Sequence, residues 1–244
     1  MTTLEPASPP RRRPRPSTSH SWLGEGDVVP VPPLLRGWLH SLCFFLAIPA
    51  GALLVLHAGS TRARLAAGVY AVGLCALFGV SAAYHRRRWS VEGRRRMKRA
   101  DHGVIFVMIA GSYTPICLLT LRGDGGGRYL LAAWLWAAVG LGLAAAGIAE
   151  RRFVGAACYG GMGWLISIAL PALSRHLSVS ALVLLLAGGA LYSVGALVLG
   201  TRWPDPAPRV FGYHEVWHVM VVAAAACHYL AIFSVVHGGL SAGT

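Results

Sequence analysis

Charged residues are scarce in this chain. Only 13% of its 244 residues are Asp, Glu, Lys or Arg, whereas 55% are hydrophobic, and this balance excludes an ordinary soluble domain. Acidic residues are scarcer still, with 9 Asp and Glu against 22 Lys and Arg, which gives a net charge of +13. Such a surplus can indicate nucleic-acid binding, so the placement of the basic residues decides what it means.

Cysteine is also infrequent, and its spacing excludes two further classes of protein. None of the five cysteines has a C-x-x-C partner, so the sequence indicates neither a disulfide framework nor a cysteine zinc ribbon. All five fall within apolar stretches, and we interpret them as small apolar fillers. They are Cys43, Cys75, Cys117, Cys158 and Cys227.

Long apolar runs are what the chain does have. Seven stretches of about 20 residues can each cross a hydrocarbon core about 30 Å thick. We therefore predict an all-α integral membrane protein, a seven-transmembrane helix bundle forming one domain over 34–240. The predicted spans are 37–56, 65–85, 102–121, 129–148, 154–173, 177–199 and 214–236.

The first 33 residues differ in composition from the rest. They hold eight of the fourteen prolines and an RRRPRP run. A segment of this kind cannot bury enough apolar surface to order itself, so we expect 1–33 to be a disordered, basic, proline-rich cytoplasmic tail. We expect no cleaved signal peptide, because no apolar stretch with a small-residue cleavage site follows the basic run.

The basic residues alternate with the predicted spans. Seventeen lie in segments that share a side with the N-terminus, and five lie in the other loops. The positive-inside rule then predicts a cytoplasmic N-terminus and an outside C-terminus, in a multi-pass protein of the cell membrane. This accounts for the basic surplus without nucleic acid and favours membrane lipids as partners, with the number of copies in the assembly left open. The five outside residues are Arg62, Arg64, Arg122, Arg128 and Arg175.

Polar residues at the cytoplasmic ends of three spans form a candidate site. Ser81 and His85 end span two, Asp101 begins span three, and His214 and His218 begin span seven. Two histidines four residues apart share one helix face, and a third from a facing helix completes a three-histidine zinc site with one position open. We expect Asp101 to hold the zinc-bound water and Ser81 to hydrogen-bond beside it.

The same residues carry a resemblance to a known family. PLLRGWLH at 33–40, SAAYH at 81–85, D-H-x-x-I with AGSYTP at 101–115, and YHEVWH at 213–218 resemble bacterial hemolysin III proteins of the progestin and adipoQ receptor (PAQR) family. The resemblance covers 33–236. It implies seven helices with a cytoplasmic N-terminus, zinc held by His85, His214 and His218, and Asp101 and Ser81 supporting the bound water.

Simpler interpretations of these residues stand beside the functional one. Asp101 alone can be the N-cap of span three. HEVWH also matches H-E-x-x-H, where the glutamate is the base of a metalloprotease, although Glu215 could equally pair with the basic cytoplasmic loops. Six further histidines, which lie within or next to the predicted spans, are assigned no role and are interpreted as interfacial side chains: His40, His57, His102, His176, His228 and His237.

Three functions are compatible with this pattern. The first is a zinc-dependent hydrolase acting on amide or ester bonds of a lipid, with Asp101 activating water and Ser81 stabilising the developing oxyanion. The second is a lipid sensor or receptor-like regulator of the membrane in which zinc is structural. The third is the cytolytic activity that the family name implies, which we rank last because we find no amphipathic segment suited to pore formation.

Overall fold

The structure, a computed structural model, describes residues 32–238 except for the side chains of residues 152 and 153. Apart from its last two residues, the segment predicted to be a disordered tail therefore lies outside the described residues. Within the described range the chain folds into eight α-helices. They are α1 (Trp38–Leu56), α2 (Thr61–Arg86), α3 (Val91–Pro115), α4 (Gly126–Ala145), α5 (Arg152–Trp164), α6 (Leu170–His176), α7 (Val179–Thr201) and α8 (Tyr213–Gly238).

Seven helical segments are long and apolar enough to cross a membrane, which confirms the predicted architecture. The fifth segment combines α5, a 3₁₀ turn at Leu165–Ala169 and α6, and α3 continues into a π-helical turn at Ile116–Thr120. The described residues contain no β-strand, only an isolated bridge between Ala207 and Phe211. The direction in which the bundle crosses the membrane stays a prediction.

Helix α3 begins eleven residues before the predicted start of span three. The Ser90 side chain caps it by accepting a hydrogen bond from the N–H of Gly93, at 3.1 Å, and Glu92 pairs one turn later with Arg96 at 2.9 Å. Most of the segment between predicted spans two and three is therefore helical. Asp101 lies inside α3, so the interpretation of Asp101 as the N-cap of this span is wrong.

The break in the fifth segment is stabilised from α3. Where the helix changes to 3₁₀ geometry, the N–H of Ile166 donates to the Tyr113 hydroxyl at 2.7 Å, and that hydroxyl donates to the carbonyl of Met162 at 2.7 Å. Backbone N–H and C=O groups that lose their helical hydrogen bonds inside a membrane must find other hydrogen-bond partners in the protein. Tyr113, from the AGSYTP motif, supplies them, so this motif serves packing between α3 and the fifth segment.

The packing order of the helices places four helix ends together. Neighbours along the chain pack side by side from α1 to α4, and α8 packs on α7, α1, α3 and α2. Helices α2 and α3 are the most enclosed of the seven segments. As a result, the start of α1, the end of α2, the first half of α3 and the start of α8 meet at one end of the bundle.

Candidate metal centre

Three histidine side chains converge at this end of the bundle. His85 lies in the last turn of α2, and His214 and His218 lie one turn apart at the start of α8. One ring nitrogen from each residue lies within 4.8 Å of the other two. The sequence placed these residues at one membrane depth, and the fold brings them into one cluster.

The geometry of the three rings is compatible with a tetrahedral ion. The Nε2 atoms of His85 and His214 are 3.3 Å apart, close to the roughly 3.4 Å between two nitrogens bound tetrahedrally to zinc. The ring planes are inclined by 72° between His85 and His214, 63° between His85 and His218, and 67° between His214 and His218. Because a nitrogen lone pair lies in the plane of its ring, three steeply inclined rings can direct lone pairs to one point.

The chemistry of the donor set also fits zinc. Among residues 32–238, the only hydrogen bond that these three rings make is the one between His85 and His214. Neutral imidazole nitrogens are ligands that zinc prefers, and three of them leave a fourth position for another group. The three histidines are therefore the residues that would hold a metal ion here.

Asp101 and Ser81 complete the group that the sequence singled out. The Oδ2 atom of Asp101 lies 3.9 Å from Nε2 of His85, which is too far for a direct hydrogen bond. Ser81 is buried one turn before His85 and lies beside the Asp101 carboxyl group. A carboxylate in this position can accept a proton from a molecule held against the histidines. The serine hydroxyl can donate a hydrogen bond to that same molecule.

Glu215 has a different role from the glutamate of an H-E-x-x-H metalloprotease. Its side chain is buried, one oxygen accepts a hydrogen bond from Nε of Arg36, and the other accepts the N–H of Gly212 at 2.9 Å. Both oxygens are occupied, so the metalloprotease interpretation loses its general base. The expected pairing with a basic residue does occur, but the partner precedes α1 instead of lying in a loop between spans.

The segment from Arg36 to His40 closes over the histidine cluster. Gly37 has φ +77, a left-handed conformation that favours glycine, and a Cβ atom added there would lie 2.7 Å from Cβ of His85. Upstream, the N–H groups of Leu34 and Leu35 donate to carbonyls in the loop before α8, each at 3.1 Å. The PLLRGWLH motif thus fixes the start of α1 against both helices that carry the histidines.

His40 is a residue of this site that the sequence analysis missed. It is 3% exposed, so its interpretation as an interfacial side chain is wrong. Its ring stacks on that of His218 with centroids 3.9 Å apart and planes inclined by 15°. The signal that could have found it is its place in the same motif, one helical turn after Arg36.

The other five unassigned histidines make their contacts with groups outside the histidine cluster. His102 contacts the carbonyl of Ala149, and His228 contacts that of Leu185, at 3.3 and 3.2 Å. His176 bonds the carboxylate of Asp124, which lies in the loop between α3 and α4, at 2.6 Å. This bond and the nearby Arg175 guanidinium lower the pKa of Asp124. His57 and His237 stack on each other where α1 and α8 end.

Comparisons with known proteins point to one family. A family model described as "Haemolysin-III related" matches residues 30–229. The chain is 35% identical to "Hemolysin-3" of Bacillus cereus over 199 residues, covering 79% of this chain and 86% of the relative. It is 29% identical to the "Hemolysin-3 homolog" of Bacillus subtilis (strain 168), over 79% of this chain and 89% of the relative.

A human protein is similar over a stretch of nearly the same length. The "Monocyte to macrophage differentiation factor" of Homo sapiens is 28% identical over 200 residues, covering 80% of this chain and 81% of the relative. The region that the family model matches, residues 30–229, contains the Arg36–His40 segment and all five site residues. The chain therefore belongs to the hemolysin III family, within the wider PAQR family of seven-helix membrane proteins.

Proposed function

We propose that this protein is a membrane-embedded, zinc-dependent hydrolase of amide or ester bonds in lipids. The observation that carries the proposal is the convergence of His85, His214 and His218 within 4.8 Å, with Asp101 reaching the cluster from a third helix. When bound, zinc supplies a Lewis acid that polarises a carbonyl group and makes water a stronger nucleophile at neutral pH.

The residues around the histidines have the chemistry that hydrolysis needs. Asp101 accepts a proton as water adds to the carbonyl carbon, and the proton then passes to the leaving nitrogen or oxygen as its bond to that carbon breaks. Ser81 donates a hydrogen bond to the oxygen on which negative charge develops. The three histidines stay neutral and serve as ligands.

The location of the site favours a lipid as substrate. The cluster lies at the end of a bundle with large apolar side chains exposed along its outer surface, such as Phe45, Leu65 and Leu197. In a membrane these faces contact acyl chains. A site at helix ends can receive the polar linkage of a lipid while its chains stay in the hydrocarbon layer.

Turnover by purified protein tests this proposal. We expect the protein in detergent micelles to release free fatty acid from a panel of N-acyl and O-acyl lipids, as measured by mass spectrometry. Release should stop after chelation, return with zinc and fail in His218→Ala. Fatty-acid release that survives both chelation and His218→Ala would contradict a zinc-dependent mechanism.

One observation favours a second candidate function, a lipid-responsive regulator with structural zinc. Helices α2 and α8 pack directly on each other over only a short stretch, so a shared ion would be a main connection between them. A structural ion would leave Asp101 dispensable.

Cytolysis ranks third, because it enters only through the names of the two Bacillus relatives, and lysis of erythrocytes by purified protein would be its test.

A further inference from the structure

His40 is a buried histidine whose ring nitrogens do not stabilise the fold. It lies in the first turn of α1 between Phe78, at a centroid distance of 5.2 Å, and His218, at 3.9 Å. Within the described part of the chain, neither of its buried ring nitrogens has a hydrogen-bond partner. A buried polar group without a partner destabilises the folded state.

A phenylalanine could make the same ring contacts without that cost. The stack on His218 and the edge-on contact with Phe78 need a flat ring, not ring nitrogens. The nitrogens of His40 therefore indicate a role at the site that packing does not explain.

The geometry excludes His40 as a fourth metal ligand in this arrangement. A bound ion lies close to the plane of each imidazole that holds it. The ring of His40 is nearly parallel to that of His218, inclined by 15° with centroids 3.9 Å apart, so the two planes do not meet near the cluster. The metal-ligand set contains His85, His214 and His218 without it.

A nitrogen beside the cluster is well placed to bind a ligand instead. The ring of His40 stacks on the ring of His218, so it lies beside the plane that contains the His218 lone pair. It is also near enough to His85 and His214 to interact with them electrostatically. A group held at the open fourth position can lie on the side of the His218 ring that faces His40, and there it would contact the His40 ring.

We propose that His40 is a ligand-contacting residue whose ring nitrogen donates a hydrogen bond to the carbonyl oxygen of a lipid amide or ester held at the histidine cluster. This inference rests on the proposed function and deepens it. It assigns the Arg36–His40 segment a part in substrate recognition as well as in folding. A neutral imidazole has one N–H, which suits a single carbonyl acceptor.

Cobalt-substituted protein and acetohydroxamate test this role without turnover. Cobalt in a tetrahedral site gives visible absorption bands, and acetohydroxamate, which carries a carbonyl group, should shift them on binding. His40→Phe keeps the stacked ring and removes the nitrogens. We expect it to retain the cobalt spectrum and to melt no lower than the wild-type protein, but to bind acetohydroxamate at least about tenfold more weakly, as loss of one such hydrogen bond implies.

His228→Phe is the matched control. It removes a half-buried imidazole on α8, whose nitrogen bonds the Leu185 carbonyl away from the cluster. It should lower the melting temperature while leaving acetohydroxamate affinity unchanged. If His40→Phe does not fold, His40→Gln and His40→Met give the same comparison, because only the glutamine retains an N–H donor and should bind the probe more tightly.

The failing outcomes can be told apart. Wild-type protein that binds no cobalt would overturn the proposed function and this inference with it. Cobalt-loaded wild-type protein that does not bind acetohydroxamate, or a His40→Phe protein that binds it as tightly as wild type, would overturn this inference alone. Loss of cobalt from His40→Phe would make His40 a support for His218 and would also overturn its role as a ligand contact.

Discussion

Arg36 forms an ion pair with Glu215, a buried carboxylate 179 residues further along the chain. The pair joins the residue just before the first transmembrane helix to the first turn of the last one. Its side chains are 21% and 4% exposed. Because Glu215 stands next to His214 in the chain, this contact also fixes the helix turn that carries a candidate ligand.

Breaking this pair should destabilise the protein strongly. Arg36→Met leaves the Glu215 carboxylate buried without its partner, and removing one member of a buried pair costs about 3–5 kcal/mol. We expect a clear fall in melting temperature in detergent, with much of it recovered in the double variant Arg36→Met, Glu215→Gln. Arg96→Met, which breaks an exposed pair with Glu92, is the control and should leave the melting temperature nearly unchanged. A Glu215→Gln protein of normal stability that had lost only turnover would restore the metalloprotease interpretation.

Gly37→Ala should disturb both folding and the histidine cluster. The backbone at Gly37 is left-handed, which costs about 1–2 kcal/mol for a residue with a Cβ. The new Cβ would also lie 2.7 Å from that of His85, so α1 or His85 must move. We expect a lower melting temperature together with weaker zinc binding.

Gly68→Ala provides the comparison for this change. Gly68 lies on α2 with nothing within 4 Å of an added Cβ, so alanine there should be neutral or slightly stabilising. If Gly37→Ala behaved like Gly68→Ala in both melting temperature and zinc content, the close approach of α1 to His85 would be refuted.

Asp101→Asn separates catalytic zinc from structural zinc. The change keeps the size of the side chain but removes the negative charge and the proton acceptor. We expect the protein to fold, to retain much of its metal and to lose fatty-acid release on the order of 10²-fold or more. Glu92→Gln makes the same chemical change at an exposed position of α3 and should leave release intact. Unchanged turnover in Asp101→Asn would reject Asp101 as the base, even in a protein that bound zinc.

The number of spans could be predicted from hydropathy, but their ends could not. Hydropathy reports which residues can lie in lipid, whereas a helix continues for as long as its backbone and side chains support it. The Ser90 cap and the Glu92–Arg96 pair extend α3 into a charged stretch that hydropathy excludes. This extension changes Asp101 from a terminal residue into an interior one.

The site residues marked by their spacing or by their place at the end of a span could be predicted, but His40 could not. His214 and His218 are marked by their four-residue spacing. His40 is a single histidine, and its contact with His218 depends on how α1 packs against α8, which no local pattern encodes. The same holds for the partner of Glu215, because charge alone does not distinguish Arg36 from the other basic residues.

The orientation in the membrane stays a prediction that fusion reporters can check. Seventeen basic residues on the N-terminal side against five on the other predict a cytoplasmic N-terminus and an outside C-terminus. A reporter fused at Thr244 should therefore be active outside, and one in the loop between α2 and α3 should be active in the cytoplasm. The reverse pattern would place the histidine cluster near the outer face.

The central claim is that His85, His214 and His218 hold one zinc ion, and elemental analysis of the purified protein tests it most directly. We expect about one zinc per chain in the wild-type protein, and in a His228→Ala control that alters a histidine away from the cluster. His85→Ala and His214→Ala should each lose most of the metal. Full zinc occupancy in either of these two variants, or a wild-type protein without zinc after growth and purification with added zinc, would contradict the account.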